Sequence, residues 1–351
     1  MRNFAHLTGH ESYMHRCLEL AKLGLGAVAP NPMVGAVLVH EGRIIGEGYH
    51  QQYGKAHAEV NCINSVSEAD RSLIEKSTLY VSLEPCAHFG KTPPCADLII
   101  KNKIPSVVIA CTDIYKEVSG KGIQKLKDAG IEVVTGVLEN DALELNKRFF
   151  TFHQKKRPFI ILKWAQSADG KIANADYSSV AISNDQTNKL MHRWRSEEDA
   201  ILVGTNTALY DNPSLTTRLW EGKNPVRLVI DKTLTLPTTL NLFDKKVKTI
   251  VFNTIKHEDG ENLFYHKINV AEDFITQILD ALYQLNIQSV FVEGGAKLLQ
   301  SFIDKNLWDE VVVITNEQLN IENGIAAPQF ISPKLLATKS IHSDKIEFYK
   351  N

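Results

Sequence analysis

The residues with the clearest chemical meaning are His57-Ala58-Glu59, Glu84-Pro85-Cys86 and Pro93-Pro94-Cys95. One imidazole and two thiolates form a three-ligand set suited to zinc, with the fourth tetrahedral position left for water. A metal held in this way brings the pKa of its water toward neutrality and supplies a hydroxide nucleophile. Glu59, two residues from the imidazole, is then placed to carry protons between that water and a leaving group. Each ligand falls at a predicted helix start, where unpaired N–H groups and the positive dipole end favour a thiolate. Any one of the three alone reads as an ordinary residue, since cysteine often serves as a small buried apolar side chain. Together they point to a metal.

The elements that must hold these residues follow from the hydrophobic pattern. An amphipathic helix over residues 11–23 leads through a Gly/Pro/Asn loop to a hairpin, VGAVLV and RIIGEGY, turned at His40-Glu41-Gly42. A helix opens near His57, TLYVSLEP is a strand, and ADLIIKN is helical after Pro94-Cys95. SVVIACTD and IEVVTGVL are short β-branched strands separated by a helix over 123–129 that ends at Gly130. A sheet covered by helices suits this order. Cys17, Cys62 and Cys111 sit in apolar runs and read as core.

Residues 153–158, HQKKRP, read as a linker, after which the pattern restarts. FIILKWA is a strand, and Ser183-Asn184-Asp185-Gln186 has the capping-box form at a helix start. Thr187, Leu190, Met191 and Trp194 give that helix an apolar stripe. AILVG, VRLVID, KTIVF, SVFVEGG and EVVVIT are further strands, with helices at FITQILDALYQL and AKLLQSFIDK. Glu293-Gly294-Gly295 closes a strand and opens a helix, a junction that can face a phosphate, although many such turns carry paired glycines with no ligand. The dinucleotide fingerprint G-x-G-x-x-G does not occur.

The chain of 351 residues has room for two domains, with 44% hydrophobic and 23% charged residues. A net charge of -2 gives no support to attraction of nucleic acid or anionic membrane. No run of about 18 apolar residues offers a membrane span, and the first 20 residues do not have the form of a signal peptide. Five cysteines, an odd count, fit a reducing cytoplasm better than a disulfide framework.

His-x-Glu followed by Pro-Cys-x-x-Cys is the general signature of zinc deaminases. Here AHFGKTPP, rather than two residues, separates Cys86 from Cys95. That longer form, LEPCAHFGKTPPC, together with His57-Ala58-Glu59 and Pro30-Asn31-Pro32-Met33-Val34-Gly35, resembles the bifunctional deaminase–reductase family of riboflavin biosynthesis. The resemblance implies an α/β chain with a cytidine-deaminase-like N-terminal domain (1–152) and a dihydrofolate-reductase-like C-terminal domain (158–351). It implies hydrolytic deamination of 2,5-diamino-6-(5-phosphoribosylamino)pyrimidin-4(3H)-one, with zinc on His57, Cys86 and Cys95 and Glu59 as proton donor. Asn31 is then either a hydrogen-bonding partner for the pyrimidine or a turn residue. His88 reads as a substrate or surface residue, because a fourth protein ligand would close the open position.

ILKWAQSADGKIA, HRWRSEEDAILVGTNTALYDNPSLTTR, PVRLVID and VEGGAKLL resemble the family's reductase half. This implies NADPH-dependent reduction of the ribosyl group of 5-amino-6-(5-phosphoribosylamino)uracil to ribityl. By the same resemblance NADPH would meet Ala181, Thr207, Asp211, Lys232, Gly295, Ala296, Lys297, Leu298, Leu299, Gln300 and Ser301. The substrate would meet Ser179, Arg195, Leu215, Arg218 and Glu293, the arginines suiting a ribose phosphate. Lys163 and Asp211 are candidates for polar work near the reacting carbonyl. Ala181 stands where the family commonly has tryptophan, and Lys232 where it has serine. Beyond Thr315 the sequence follows the family less closely.

The expected partners are small phosphoribosylaminopyrimidines, with neither nucleic acid nor membrane, in a cytoplasmic protein for which a homo-oligomer is compatible. Two other readings are a nucleic-acid deaminase, against which the near-neutral charge argues, and a deaminase whose C-terminal half is a non-catalytic ligand-binding module.

Overall fold

A computed structural model describes residues 9–89, 93–114, 120–331 and 333–351, which form two compact units, Met1–Lys155 and Lys156–Asn351. The first eight residues, on which the signal-peptide reading partly rests, and residues 90–92 of the insertion between the cysteines lie outside the described residues. Among the described residues no helix is long and apolar enough to cross a membrane.

In the first unit the chain runs α1 (Gly9–Lys22), β1 (Gly35–His40), β2 (Arg43–Tyr49) and α2 (Ala58–Asn64). After a 3₁₀ segment, Glu68–Lys76, come β3 (Thr78–Leu83), α3 (Cys95–Lys101), β4 (Ser106–Cys111) and α4 (Lys121–Asp128). β5 (Glu132–Thr135), α5 (Glu139–Leu145) and α6 (Lys147–Lys155) complete it. The sheet order is β2-β1-β3-β4-β5, with β1 antiparallel to β2 and β3, and β3, β4 and β5 parallel. The β1–β2 turn needs left-handed backbone at both Glu41 (φ 46°) and Gly42 (φ 82°), which is why a glycine stands there.

Alternation along the strands builds a three-layer unit. Ala36 and Leu38 pack with Cys62, Ile63, Ala96, Ile99 and Leu126, so α2, α3 and α4 cover one face. Val37 and Val39 pack with Met14, Cys17, Leu18, Phe149 and Phe150, placing α1 and α6 on the other. Cys17, Cys62 and Cys111 are buried core thiols, as the pattern predicts.

The second unit begins with β6 (Phe159–Ser167), β7 (Lys171–Asn174), α7 (Asp185–Glu197), β8 (Ala200–Val203) and α8 (Thr205–Asp211). β9 (Val226–Ile230), β10 (Thr249–Asn253), β11 (Leu263–Lys267), α9 (Phe274–Gln284), β12 (Ser289–Gly294) and α10 (Ala296–Asp304) follow. The chain ends on β13 (Glu310–Asn316), β14 (Gly324–Ala326), β15 (Lys334–Ile341) and β16 (Asp344–Lys350). The main sheet has the order β11-β10-β9-β8-β12-β6-β13-β16-β15, parallel from β11 to β13 and antiparallel beyond. α9 and α10 bury Ile278, Leu282, Leu299 and Phe302 against one face. α7 lays Leu190, Met191 and Trp194 on the other.

Two sequence expectations change, and one segment to which the sequence assigns no element takes form. Residues 153–155 of the expected linker are the last residues of α6, since the apolar residues Phe149, Phe150 and Phe152 carry the helix past its polar end. The cap of α7 is Asn184, not Ser183: its side chain accepts from the backbone N–H of Gln186 and Thr187, both at 3.0 Å. Within the tail beyond Thr315, β15 and β16 form a hairpin that extends the main sheet from β13.

Candidate functional site

His57 is the residue that caps α2 and Cys95 is the first residue of α3. Cys86 departs from the expectation of three helix starts, because it lies in the loop that leaves β3. Helix α3 still serves it: the Cys95 backbone N–H donates to Cys86 Sγ at 3.3 Å, as a thiolate at a helix N-terminus requires. His57 Nδ1 lies 3.7 Å from Cys86 Sγ and 3.4 Å from Cys95 Sγ. All three ligand atoms fall within 4.8 Å of one another. One nitrogen and two sulfurs converging at this spacing fit a zinc ion with an open position. The Cys95 thiol, and after it the His57 ring, holds Cys86 below the ordinary thiol range.

Glu59 is 3% exposed, and burial pushes its carboxyl up to about 7, with the neighbouring Cys86 charge acting in the same direction. A carboxyl poised near neutrality both accepts and returns a proton.

Two neighbours escape the sequence pattern. His50 is 2% exposed, with its ring edge-on to His57 at a centroid distance of 5.4 Å. Its Nδ1 faces the Ala56 carbonyl at 3.0 Å and its Nε2 faces the Asn31 amide nitrogen at 3.1 Å, so Asn31 and His50 form one polar unit beside the ligands. Glu84 accepts backbone N–H bonds from Asp113 (3.2 Å), Gly120 (3.0 Å), Gly122 (2.9 Å) and Ile123 (3.3 Å). It thereby ties the start of α4 to the end of β3, just ahead of Cys86. A Cβ at position 122 would overlap the Pro85 carbonyl oxygen, so only glycine allows this approach. His88 is exposed.

In the second unit a cavity of about 820 Å³ opens at the carboxyl ends of the parallel strands. Adjacent strands β8 and β12 send the chain to opposite sides of the sheet there, which is where such sheets take ligands. Helix α10 starts at Gly295 with no side-chain cap, leaving N–H groups for an anion. The Thr207 hydroxyl accepts from the Gly295 N–H at 3.0 Å, and a Cβ at Gly294 would stand only 3.0 Å from that hydroxyl oxygen. The donors and the room suit a dinucleotide.

The expected cofactor residues Ala181, Thr207, Asp211, Lys232, Gly295, Ala296, Lys297, Leu298, Leu299 and Ser301 all line this cavity. Gln300 does not; its amide is bonded to Asp304 and to the Gln329 backbone. Of the expected substrate residues Glu293 lines the cavity, whereas Ser179 and Arg218 are exposed outside its lining and Leu215 is buried in the core. Arg195 is bound to Glu293 by two hydrogen bonds, 2.6 and 2.7 Å, and its remaining nitrogen donates to the Thr216 carbonyl at 3.3 Å. Burial would raise the Glu293 carboxyl, but Arg195 and then Lys163 outweigh it and hold it below the ordinary range. Lys163 lines the cavity, and burial lowers its ammonium to about 8. Desolvation raises Asp211. Tyr177 and Tyr210 stack at 5.0 Å across the cavity wall, an aromatic pair that no local motif announces.

Comparison with known proteins follows this division. The model of the cytidine and deoxycytidylate deaminase zinc-binding region matches residues 7–111, and that of the RibD C-terminal domain matches 158–316. The chain is 43% identical over 308 residues to the riboflavin biosynthesis protein RibD of Aquifex aeolicus, covering 86% of this chain and 85% of that protein. It is 43% identical over 310 residues to the protein of the same name from Bacillus amyloliquefaciens, covering 86% and 82%. It also resembles the crystal structure of a diaminohydroxyphosphoribosylaminopyrimidine deaminase/5-amino-6-(5-phosphoribosylamino)uracil reductase from Thermotoga maritima. There the TM-score is 0.89 at 38% identity, covering 97% of this chain and 98% of that one.

Proposed function

The chain belongs to the RibD family of riboflavin biosynthesis, and from that premise we propose how its residues divide the work of a zinc-dependent deaminase and an NADPH-dependent reductase. The first unit deaminates and the second reduces; we assign residues 1–152 and 158–351 to the two activities. The substrates are 2,5-diamino-6-(5-phosphoribosylamino)pyrimidin-4(3H)-one and then 5-amino-6-(5-phosphoribosylamino)uracil, the chemistry named for the Thermotoga maritima protein.

The convergence of His57, Cys86 and Cys95 beside buried Glu59 carries the deaminase assignment. These three side chains hold zinc, which supplies the acidity that makes water a nucleophile near neutral pH. Glu59 takes a proton from the attacking water on its carboxylate and returns it to the departing amine. The Asn31–His50 unit presents fixed polar groups to the pyrimidine edge, and the Glu84 clamp keeps the Cys86 loop in place.

The cavity of the second unit would hold NADPH, which would supply the hydride that C1′ of the ribosyl group takes as its bond to the ring oxygen O4′ breaks. Lys163, as the ammonium, supplies the proton that the released O4′ takes up to become a hydroxyl. Glu293, oriented by Arg195, faces the sugar hydroxyls. The uncapped start of α10 and Lys297 bind phosphate of the cofactor. A non-catalytic C-terminal module is not favoured, since the RibD C-terminal model covers residues 158–316. We place the protein in the cytoplasm, acting on small molecules without nucleic acid, and compatible with a homo-oligomer.

The test is an assay with both substrates supplied separately, together with metal analysis. One zinc per chain, strongly reduced in Cys86→Ser, supports the ligand set; full zinc in that variant removes Cys86 from it.

A further inference from the structure

We propose that the stacked rings of Tyr177 and Tyr210 form the platform for the aminouracil ring of the reductase substrate, an inference that rests on the cavity of the second unit being the reductase site.

Tyr177 takes left-handed backbone (φ 66°), a conformation that glycine adopts freely and a bulky side chain resists. The turn that imposes it is closed without the ring. The Tyr177 N–H donates to the Asn174 carbonyl at 3.0 Å, and Asp176 accepts from the Ser178 N–H at 2.9 Å and hydroxyl at 2.6 Å. The ring lies instead against Tyr210, with centres 5.0 Å apart and planes 12° from parallel. Tyr210 belongs to α8 and is 50% exposed, so the stack is not a piece of the core. Backbone strain that places an aromatic ring in a cavity wall points to a ligand.

The order of the strands places the pair over the reacting groups. Tyr210 follows β8, Tyr177 follows β6 and β7, and β12 lies between β8 and β6. The stack thus joins segments from either side of β12, whose end carries Glu293, across two strand spacings or about 10 Å. Glu293 and Lys163, both 6% exposed, form the buried side of the cavity, and the tyrosines belong to its solvent side. A sugar held by Glu293 and Lys163 has one flat group bonded at its C1′, the aminouracil, and room for that group lies toward the tyrosines. The cofactor phosphates arrive from a different direction, the start of α10. The other aromatic residues of the lining are engaged. Trp164 is 4% exposed and its Nε1–H donates to Gln166 at 2.8 Å, while Phe274 lies under the Lys232 ammonium at 4.5 Å. Among the described residues the Tyr177–Tyr210 stack is therefore the aromatic surface of the cavity left for a base, and stacking on such a surface is how flat heterocycles are held.

Calorimetric titration of the full chain reads the proposal without turnover. The probes are 5-amino-6-(5-phosphoribitylamino)uracil, which is the product of the reduction, ribitol 5-phosphate, which lacks the ring, and NADP⁺. Tyr177→Gly and Tyr210→Ala should each weaken the aminouracil compound by about 10- to 100-fold and leave ribitol 5-phosphate and NADP⁺ unchanged. Tyr210→Phe keeps the ring and should retain the binding. Glycine at 177 relieves the left-handed backbone, so the denaturation midpoint of the second unit should change little in Tyr177→Gly, which separates a lost ligand from a lost fold. Unchanged binding of the aminouracil compound, or equal weakening of ribitol 5-phosphate, overturns the platform. Weakening of NADP⁺ in place of the aminouracil compound gives the stack to the nicotinamide and overturns it as well. In these outcomes the unaltered protein still binds its ligands, and the reductase site stays in the cavity. Failure of the unaltered protein to bind any of the three probes removes that site, and the proposal with it.

Discussion

Arg195 and Glu293 are bound to each other through two parallel hydrogen bonds, Nε to Oε1 at 2.6 Å and Nη2 to Oε2 at 2.7 Å. Both side chains are largely buried, at 10% and 6% exposure. The pair fixes the plane of a carboxylate at the cavity wall. Arg195 thus meets the cavity through Glu293 rather than as an open phosphate-binding fork.

Removing the arginine alone should therefore be costly. Arg195→Ala leaves Glu293 buried without its partner, which is expected to destabilise the second unit by about 3–5 kcal/mol. All four tryptophans (Trp164, Trp194, Trp220 and Trp308) lie in that unit, so denaturant titration followed by tryptophan emission isolates its unfolding. Glu293→Gln added to Arg195→Ala should recover part of the loss. A single-variant loss below about 1 kcal/mol would show the pair to be far better solvated than its burial indicates.

Glu84 offers a parallel case in the first unit. Its carboxylate serves four backbone N–H groups that neutral glutamine cannot satisfy equally. Glu84→Gln should destabilise this unit by about 2–4 kcal/mol. Because Pro85 and Cys86 follow directly, zinc content should fall as well, with no ligand changed. Metal analysis after dialysis against a weak chelator checks this; full zinc would uncouple the clamp from the ligand loop.

What the sequence shows and what it hides separate along physical lines. His57, Glu59, Cys86 and Cys95 are legible because few residue types bind zinc, and their short motifs keep the spacing visible. The strands are legible because alternation and β-branched runs are local. The role of Glu84 is hidden: its partners lie between 29 and 39 residues away and are backbone groups, which have no sequence signature. Distance likewise hides the mutual engagement of Arg195 and Glu293, 98 residues apart. Asn184 displaces Ser183 as the cap because either residue type caps a helix and only the backbone angles decide. The tail is hidden because the residues of β15 are largely exposed, so no apolar alternation marks the strand.

The reductase should lose activity on the alkaline side before it loses stability. Burial lowers Lys163 from its ordinary 10.5 to about 8, so the ammonium needed as proton donor disappears above that pH. With saturating NADPH, reduction should fall about tenfold per pH unit above pH 8. Stability moves the other way. Between about pH 8 and 10.5 the unfolded chain keeps a proton that the folded one has released, so this group's contribution to stability rises with pH. Lys163→Met should abolish the alkaline limb and lower the rate by about 10²–10⁴-fold. A limb that persists in Lys163→Met assigns the titration to another group.

The sharpest separation of the two activities comes from Glu59. This carboxyl is almost wholly buried and already raised to about 7, so replacing it with neutral, equally large glutamine removes no ion pair and opens no cavity. The fold and the zinc should survive. The amide cannot take a proton from water and hand it to the departing amine, so deamination should fall by about 10²–10⁴-fold or more. Reduction must be assayed with the deaminated intermediate supplied directly, because a blocked first step would starve the second. Under that condition Glu59→Gln should oxidise NADPH at close to the unaltered rate, since its side chain belongs to the first compact unit and the reductase cavity to the second. Deamination at near the original rate would remove Glu59 from the chemistry. Loss of both activities, with zinc content and tryptophan emission unchanged, would show that the two units do not carry independent sites.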